Sequence, residues 1–456
     1  MLAAFLPPYP FRGDAAPYLW WYYRLLTRWQ DEPAFFIAGK DYAAPPSKWQ
    51  GRWECGSDAQ IRLGYRLPEQ ALSPRHHYAW LDESRFDGWL AAANGNPIAV
   101  FRRFLTERDP AFEHELKQLL AEAPAPLEAV LTFCNVPALE AACAALSIPV
   151  VHLELGPLRS PLYRETGYLD FRGVNGNTEC ASRYEAWQGR RPRLDREDMF
   201  RFFAHRSSSK SCEPEQPQPQ PQRELGVVLQ VEDDSNLVAF GNGMDNVGLL
   251  AVAKLEAAAR QLRLRARPHP GSMFGLREGV DVDDSRDSPT FIRRCAHLLT
   301  INSSVGLEAI LMGASVRAFG DCSFDFVLGP GDESQRVDRL NFYLLAYLVP
   351  LALLFEPEYL RFRLGGPSEE SIIIRHLEEY MKQQGLDPGL FSELPPHTRA
   401  ATMALFAGAD KRIAELERTV ADRDREIEGL LGSASWKVTA PLRWLHRLYV
   451  KRSTNR

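Results

Sequence analysis

The sequence lacks the short motifs that mark several common classes of enzyme. Its 456 residues contain no G-x-x-x-x-G-K-[ST] phosphate loop, no G-x-S-x-G nucleophile elbow and no C-x-x-C pair. The seven cysteines are an odd number without metal-ligand spacing, so neither a disulfide framework nor a thiolate zinc site is indicated. These absences argue against P-loop nucleotide hydrolysis and serine-hydrolase chemistry, and the cysteine usage is typical of a reducing compartment.

Long hydrophobic runs and a surplus of positive charge are also missing. The longest apolar run, residues 342–355, is shorter than the ~20 residues that span a bilayer, and Pro350 interrupts it. We therefore predict a buried helix or helix pair there. The first ten residues have no basic stretch and make a poor signal peptide. Because the net charge is −5, we expect no nucleic-acid partner, and we predict a cytoplasmic protein.

What remains is the composition of a globular protein, with 45% apolar and 25% charged residues. In the first half, apolar runs at 34–38, 78–81 and 98–101 predict buried strands. A strand at 129–133, an Ala-rich helix at 137–146 and a strand at 148–155 together form a βαβ unit, which implies a parallel sheet.

The second half repeats this pattern after a break. We predict strands at 225–231, 264–267, 297–301 and 316–319, and helices at 247–262 and 305–312. The predicted fold class is therefore α/β, with two Rossmann-like domains that face a central cleft, plus a C-terminal helical extension.

Composition changes set the predicted domain boundaries. The predicted segments are a first Rossmann-like domain (1–205), a Pro/Gln-rich linker (206–222), a second Rossmann-like domain with closing helices (223–395), a helix or short coiled coil (396–431) and a basic amphipathic tail (432–456). A heptad seam that includes Arg423 indicates the coiled coil. The tail alternates basic residues with tryptophan and leucine, which is typical of a membrane-surface helix.

Polar residues directly after the predicted strands are the candidates for chemistry, because ligands of open parallel sheets bind at the carboxyl ends of strands. The first group is QVEDDSN, which begins at Gln230. Its acids Glu232, Asp233 and Asp234 offer carboxylates for a nucleophile or a base. The alternative is a turn in which an acid caps the next helix.

The other candidate groups are basic or neutral. His269-Pro270 follows a strand, where the imidazole would contact a phosphate or simply be solvated. Asn302, Ser303 and Ser304 open a helix whose first N–H groups attract phosphate, and Glu308 lies one turn further on. Simple capping is the alternative for this group.

Two further features complete the survey. Glu154 and Arg159 follow the last strand of the βαβ unit, where a plain turn is the alternative. The D-x-D at 281–283 imitates a metal-binding motif, but its charged surroundings favour a surface loop, and the glycines at 241–243 favour a turn. A phosphate site and carboxylates without a P-loop favour nucleotide-sugar chemistry over nucleotide hydrolysis.

These groups resemble motifs of the β-Kdo glycosyltransferases of Gram-negative capsule and O-antigen (lipopolysaccharide) assembly, where Kdo is 3-deoxy-D-manno-oct-2-ulosonic acid. The matching pieces are residues 230–236, His269-Pro270, residues 297–309 with Gly320-Asp321, and ELGPLR at 154–159 with YLDFRGVNGN at 168–177. The sequence is also similar to bacterial sialyltransferases, which share a His-Pro and a Ser-Ser motif. The terminal SASWKVTAPLRW resembles tails of inner-membrane glycosyltransferases.

The resemblance implies a GT-B fold, a CMP-β-Kdo donor, no metal or other cofactor, and transfer with retention through a covalent carboxylate–Kdo adduct. It implies Asp234 as the nucleophile, with Asp233 second and Glu232 third, and Glu154 as an acid/base or positioning group. The residues implied to bind the donor are Gln230, His269, Pro270, Asn302, Ser303, Ser304, Glu308 (ribose) and Arg159 (sugar carboxylate).

The implied partners are a CMP-sugar donor, a polysaccharide or lipid-linked glycan acceptor, the inner-membrane surface through the tail, and a second copy or other assembly enzymes through the coiled coil. Two rival hypotheses remain. One is an inverting, sialyltransferase-like CMP-sugar transferase in which the same carboxylate acts as a base. The other is a non-catalytic nucleotide-binding scaffold that recruits a partner through the C-terminal helix.

Overall fold

The computed structural model describes residues 1–8, 18–43, 73–187, 194–204, 224–269, 280–391 and 398–400, with five positions between 422 and 429. Residues 1–402 form one compact unit, and residues 403–456 form a second. The predicted linker at 206–222, nearly all of the helix or coiled coil at 396–431 and the tail at 432–456 lie outside the described residues. These three predictions therefore stay predictions.

Helices and strands alternate along most of the described chain. The helices are α1 (Leu19–Arg28), α2 (Ser84–Ala92), α3 (Pro97–Thr106), α4 (Pro110–Ala121), α5 (Pro137–Ala145), α6 (Cys180–Ala186), α7 (Arg196–Phe203), α8 (Ser235–Phe240), α9 (Asn246–Arg260), α10 (Ser288–Arg294), α11 (Val305–Leu311), α12 (Asp325–Leu328), α13 (Glu333–Phe342), α14 (Pro357–Leu364) and α15 (Glu369–Gln383). A π-helical turn spans Tyr343–Tyr347, and 3₁₀ turns span Lys40–Ala43 and Pro388–Phe391.

The strands are β1 (Leu2–Leu6), β2 (Ala34–Ala38), β3 (His76–Trp80), β4 (Ala129–Thr132), β5 (Val150–Leu155), β6 (Thr166–Asp170), β7 (Glu224–Val228), β8 (Arg263–Arg267), β9 (Asp281–Val282), β10 (Cys295–Thr300), β11 (Ser315–Ala318) and β12 (Val349–Pro350).

Two sheets with the same strand order organise the first unit. The first sheet runs β12-β6-β5-β4-β1-β2-β3, and the second runs β11-β10-β7-β8-β9. Strands β1 to β5 are mutually parallel, as are β7 to β11, and each set follows the Rossmann-like order 3-2-1-4-5. The predicted α/β class with parallel sheets is confirmed.

The first sheet is completed by a strand from far along the chain. β6 pairs antiparallel with β5, and β12 pairs antiparallel with β6 through Val349 opposite Gly167. Gly167 has no Cβ, and a Cβ there would lie 2.6 Å from the Leu354 side chain, so glycine permits this close packing. Pro350 cannot donate a ladder hydrogen bond, and it is tolerated because β12 is an edge strand.

The apolar run at 342–355 is therefore buried as expected, but its structure differs from the predicted helix pair. It consists of the end of α13, the π-helical turn, β12 and a further turn. Val349 and Phe355 join the same hydrophobic core as Leu2 and Trp29, whose indole Nε1 donates to the Phe355 carbonyl at 3.0 Å.

Residues 98–101 were predicted as a strand and form part of helix α3 instead. The reason is local: the Asn96 side chain accepts from the backbone N–H groups of Ile98 and Ala99 at 3.0 and 3.2 Å, and Pro97 starts the helix. The buried residues Val100, Phe101, Phe104 and Leu105 then follow a helical spacing.

Strand β1 went unrecognised in the sequence, yet it is the middle one of the five parallel strands of the first sheet. It pairs with both β2 and β4, and all five of its residues are buried. One face of the sheet packs against α1 and residues 349–360, and the other against α2 to α5. Val238 of α8 joins this second core, so the helix that begins after Asp234 is anchored in the first half.

Candidate functional site

A cavity of about 290 Å³ lies at the carboxyl ends of strands from both sheets. From the first half it receives the turn after β5 together with β6, α1 and α3. From the second half it receives the turns after β7, β8, β10 and β11. Its lining is mainly polar, which suits a ligand rich in hydroxyl and phosphate groups.

Eight of the twelve residues singled out in the sequence line this cavity. They are Glu154, Arg159, Gln230, Asp234, His269, Asn302, Ser303 and Ser304. Asp233, Glu232 and Glu308 are not among its lining residues, and Pro270 lies outside the described residues. The geometry thus brings one acid of the triplet together with the other candidate groups, while the roles of all twelve stay predictions.

Asp234 both faces the cavity and caps a helix. Its Oδ1 accepts from the backbone N–H of Asn236 at 2.8 Å and from the Asn236 side-chain amide at 3.0 Å. The backbone N–H of Asp234 donates to the Val231 carbonyl at 3.2 Å, which closes the turn. The capping interpretation is confirmed, and the capping bonds fix the carboxylate in one orientation at the cavity wall, while the nucleophile role stays a prediction.

Glu232 lies on the other side of this turn. It lines a separate cavity of about 660 Å³ with Arg102 of α3 and Val247 of α9. The turn at 231–234 thus separates two cavities, with Asp234 at the smaller and Glu232 at the larger. The sequence alone did not reveal which acid lines which cavity.

Gln230 and Asn302 form an amide pair that joins the ends of β7 and β10. The Gln230 Nε2 donates to Asn302 Oδ1 at 2.9 Å, and the Asn302 backbone N–H donates to Gln230 Oε1 at 3.2 Å. The Asn302 Nδ2 donates to the carbonyls of Asn236, Phe240 and Asp321 at 3.0–3.2 Å. Because these hydrogen bonds use the amide oxygen and nitrogen of both side chains, they hold the turns after β7 and β10 in fixed positions around the cavity.

The serine pair at the start of α11 lines the cavity. Ser304 occupies the N-cap position without a side-chain capping bond, and Ser303 Oγ accepts from the Val305 N–H at 3.4 Å. His269 follows β8 and is exposed at the cavity rim.

Glu308 lies behind the cavity. It is 7% exposed, and its Oε2 accepts from the Ser288 hydroxyl at 2.6 Å. Burial raises the pKa of Glu308 to about 7, although hydrogen bonds from Ser288 and Tyr163 act against this shift. In this structure the carboxylate faces protein groups, so the implied contact with a ribose requires an opening that the structure does not contain.

Glu154 and Arg159 bring charge from the first half. Glu154 Oε1 accepts from the Leu155 N–H at 2.7 Å, and Arg159 Nε donates to the Gly156 carbonyl at 2.9 Å. Glu154 is paired with Tyr168 across the β5–β6 ladder, so the carboxylate and the phenol share one wall of the cavity.

The D-x-D carboxylates are each paired with an arginine. Asp281 contacts Arg263, and Asp283 contacts Arg267 and accepts from the Ser285 hydroxyl at 2.7 Å. Among the described residues, no group of three or more metal-ligating side chains comes together. The glycines at 241–243 form a turn, as expected, with Asn242 and Gly243 at positive φ.

Several residues in or beside the cavity had no role assigned from the sequence. Asn175 donates through Nδ2 to the Ser235 hydroxyl at 3.1 Å, and Asn177 donates through its backbone N–H to Asp321 at 2.8 Å. These two contacts bind the loop after β6 to the second half. The signal was present in the segment VNGN, since two asparagines flanking a glycine favour positive φ, as observed for Asn175 and Asn177.

The remaining unassigned lining residues are Tyr18, Trp21, Phe101, Leu155, Pro157, Tyr168, Val231, Ser235, Asn236, Cys322, Ser323 and Phe324. The aromatic rings of Tyr18, Trp21 and Phe101 all come from the first half. Sequence analysis missed them because aromatic residues at helical spacing are also what an ordinary core requires.

Two family models match the chain. Residues 4–179 match the family model described as glycosyltransferase 99 family N-terminal domain, and residues 196–334 match the model described as capsule polysaccharide biosynthesis protein. Together the two matches support a glycosyltransferase that works in capsule polysaccharide biosynthesis. No curated protein sequence matches the chain.

Solved structures show only distant likeness. The chain is similar to the beta Kdo 2,7 transferase of Thermosulfurimonas dismutans KpsC at 16% identity and a TM-score of 0.37, covering 56% of this chain and 90% of that one. The corresponding values for the beta Kdo 2,4 transferase of that protein are 14%, 0.35, 53% and 88%. For UDP-N-acetylglucosamine 2-epimerase from Rickettsia bellii they are 10%, 0.28, 95% and 98%. TM-scores this low do not establish a shared fold.

Among the described residues, no helix combines the length and the apolar character needed to cross a membrane.

Proposed function

We propose that the protein is a retaining glycosyltransferase that moves Kdo from CMP-β-Kdo to a bacterial capsule or O-antigen glycan. The observation that carries this proposal is the juxtaposition of Asp234 and Glu154, from opposite halves, with the phosphate-binding candidates His269 and Ser304 in one polar cavity. The family matches support the class of reaction, and the motif resemblance supports the donor and the stereochemistry.

The first step would form a bond between an Asp234 carboxylate oxygen and the anomeric carbon, while the bond from that carbon to the CMP phosphate breaks. His269, Ser303 and Ser304 would stabilise the charge that develops on the leaving CMP. The two capping bonds from Asn236 hold one carboxylate oxygen, which leaves the other as the attacking atom.

In the second step an acceptor hydroxyl would attack the same carbon and release Asp234. Glu154 would take the proton of that hydroxyl, as a base on the opposite wall. Two inversions at one carbon give net retention. None of these steps requires a metal or another cofactor.

The proposal also includes a location at the inner membrane. The basic tail at 432–456 would hold the enzyme at the cytoplasmic face of the inner membrane, and the helix at 396–431 would pair with a second copy or another assembly enzyme. A chain ending at residue 402 should keep activity on a soluble acceptor and lose vesicle binding. Absence of transferase activity from both the full-length and the shortened chain, with CMP binding retained, would favour the scaffold hypothesis.

The direct test is the intact mass of the protein after incubation with CMP-Kdo generated in situ and without acceptor. We expect one added Kdo unit, mapped to the peptide that contains residues 230–236, in the wild type and in an Asp233→Asn control but not in Asp234→Asn. Binding of CMP without any adduct would instead favour the inverting CMP-sugar transferase. Absence of both signals would contradict the proposal.

A further inference from the structure

Three hydroxyl groups form a hydrogen-bonded chain that begins and ends in the cavity. The Tyr343 hydroxyl lies 3.0 Å from the Tyr168 hydroxyl and 2.7 Å from Ser323 Oγ. Tyr168 belongs to the first half and Ser323 to the second, and both line the cavity. Tyr343 does not line it and is fully buried, so the middle of the chain is shielded from solvent.

An unusual backbone element positions the middle hydroxyl. Tyr343 opens the π-helical turn Tyr343–Tyr347, which connects α13 to β12 and so carries the chain across to the first sheet. π-Helical turns are rare and occur frequently at functional sites, because the inserted residue redirects neighbouring side chains. Here the turn points Tyr343 between a strand of one half and a loop of the other.

The chain has a direction, because each hydroxyl carries only one hydrogen. If Tyr343 donates to Tyr168, it accepts from Ser323. The Tyr168 hydrogen is then available to a ligand, and Ser323 presents only lone pairs. If the direction reverses, Tyr168 donates to Tyr343 and Tyr343 donates to Ser323, so that the Ser323 hydrogen is available to a ligand and Tyr168 presents only lone pairs. A ligand at one end therefore determines what the other end can bind.

A carboxylate bound beside Arg159 would favour the direction in which Tyr168 donates, because a carboxylate can only accept. The guanidinium of Arg159 is near enough to act on Tyr168, and both groups line the same wall. Burial raises the pKa of Tyr168 to about 12, so the phenol keeps its proton and remains a donor at neutral pH. The Glu154 carboxylate lies across the ladder from Tyr168 and would repel an anionic ligand bound at this wall. The Tyr168 hydroxyl, as a donor, and the Arg159 guanidinium would offset that repulsion.

We propose that the Tyr168–Tyr343–Ser323 chain selects donors whose sugar carries a carboxylate. Tyr168 donates to the carboxylate beside Arg159, Tyr343 donates to Tyr168, and Ser323 accepts from a hydroxyl group of the same donor. This inference rests on the proposed function and deepens it: it names the recognition of the acidic sugar, and it makes Tyr343 a positioning residue that acts through the other two.

The test compares full-length variants that remove one hydroxyl each. Tyr168→Phe and Tyr343→Phe break the chain, and Tyr22→Phe is the matched control, since Tyr22 and Tyr78 form a similar phenol pair at 2.9 Å outside the cavity. We measure the KM for CMP-Kdo from the release of CMP, the Kd for CMP alone, and the melting temperature.

We expect the KM for CMP-Kdo to rise about tenfold in Tyr168→Phe, which removes a hydrogen bond to a charged group, and by a smaller factor of about threefold in Tyr343→Phe, which removes only the neutral partner that orients Tyr168. The Kd for CMP should stay within about twofold of the wild-type value, because CMP lacks the sugar carboxylate. Tyr22→Phe should change neither constant, whatever its effect on the melting temperature.

Two results would overturn the inference while leaving the proposed function intact. One is an unchanged KM in Tyr343→Phe, and the other is an equal weakening of CMP and CMP-Kdo. Failure of the proposed function is distinguishable, because the wild type itself would then neither bind CMP nor turn over CMP-Kdo.

Discussion

The two sheets share one strand order but differ in burial. Every residue of β1 and β2 in the first sheet is buried, whereas β8 and β11 in the second alternate between covered and more exposed positions. On one side of β8, Arg263, Arg265 and Arg267 contact the carboxylates of Asp281, Glu224 and Asp283 respectively. The same topology is thus stabilised by apolar packing in one half and partly by a ladder of ion pairs in the other.

The difference extends to what each half gives the cavity. The first half supplies an aromatic wall of Tyr18, Trp21 and Phe101, together with Glu154. The second supplies polar turns such as 230–236 and 302–304. The polar residues of the second half lie on turns at strand ends, outside the packing of its sheet, whereas Trp21 and Phe101 of the first half also belong to the cores that cover its sheet.

The largest expected effects separate the two proposed catalytic acids. Asp234→Asn in the second half should abolish both the Kdo adduct and transfer, by at least about 10³-fold, because no other group would form the covalent bond. Glu154→Gln in the first half should slow transfer by about 10²-fold, since only acid/base assistance is lost. Steady-state rates and adduct mass measure both, and an adduct in Asp234→Asn would assign the nucleophile elsewhere.

The next effect compares the cores of the two sheets. Phe36→Ala in β2 removes a fully buried ring and should cost about 3–5 kcal/mol of the free energy of unfolding. Val316→Ala in β11 shortens a half-buried side chain and should cost about 1 kcal/mol or less. Denaturant midpoints measure both losses, and equal losses would contradict the difference in burial.

A buried acid and a buried histidine should give opposite pH dependences. The pKa of Glu308 is about 7 in the folded state against 4.5 in the ordinary carboxyl, so the folded state holds the extra proton between these values. Its contribution to stability is complete below pH 4.5 and falls by about 3 kcal/mol as pH rises to 7. Burial lowers the pKa of His376 to about 3, so its contribution instead rises with pH up to 6.5.

Denaturation of Glu308→Gln at pH 5 and pH 7.5 checks this expectation. Between these pH values the free energy of unfolding should fall in the wild type but not in the variant, because the amide still accepts from Ser288 but does not titrate. A difference between variant and wild type that is the same at both pH values would show that the Glu308 carboxyl does not change its protonation over this range.

The smallest effects concern the ion-pair ladder of the second sheet. Arg265→Met should cost about 1 kcal/mol, since its pair with Glu224 is largely covered. Arg263→Met should have no measurable effect, because this side chain is mostly exposed and its ion pair is screened by water. Melting curves at low and high salt separate the two, and a larger loss for Arg263 would contradict this order.

Most parallel strands could be predicted because their apolar runs are bounded by turn residues. Residues 34–38, 129–133 and 264–267 were predicted within one residue of β2, β4 and β8. The predictions missed strand β1 and helix α3 for one shared reason. A short apolar run does not distinguish the spacing of a helix from that of a strand, so a cap such as Asn96 or the pairing with distant strands decides its structure. Strand β12 depends wholly on tertiary contacts.

The polar part of the cavity could be predicted from the rule that ligands bind at strand ends. The rule identified Asp234 and Ser304 but could not separate Asp234 from Glu232, which faces another cavity two residues away. Nor could it find Tyr168, Ser323 and Tyr343, because the hydrogen bonds that link them join residues up to 175 positions apart.

Strand β12 has a consequence for how the chain is made. During synthesis, β6 emerges from the ribosome long before residues 349–360, which complete its hydrogen bonding and one face of the first core. Until then the nascent chain carries an open strand edge, the kind of surface that chaperones cover and that drives aggregation. The first half expressed alone to residue 205 would therefore lack β12 and one face of its core. A second polypeptide that supplies residues 343–383 in trans would restore the pairing of β12 with β6.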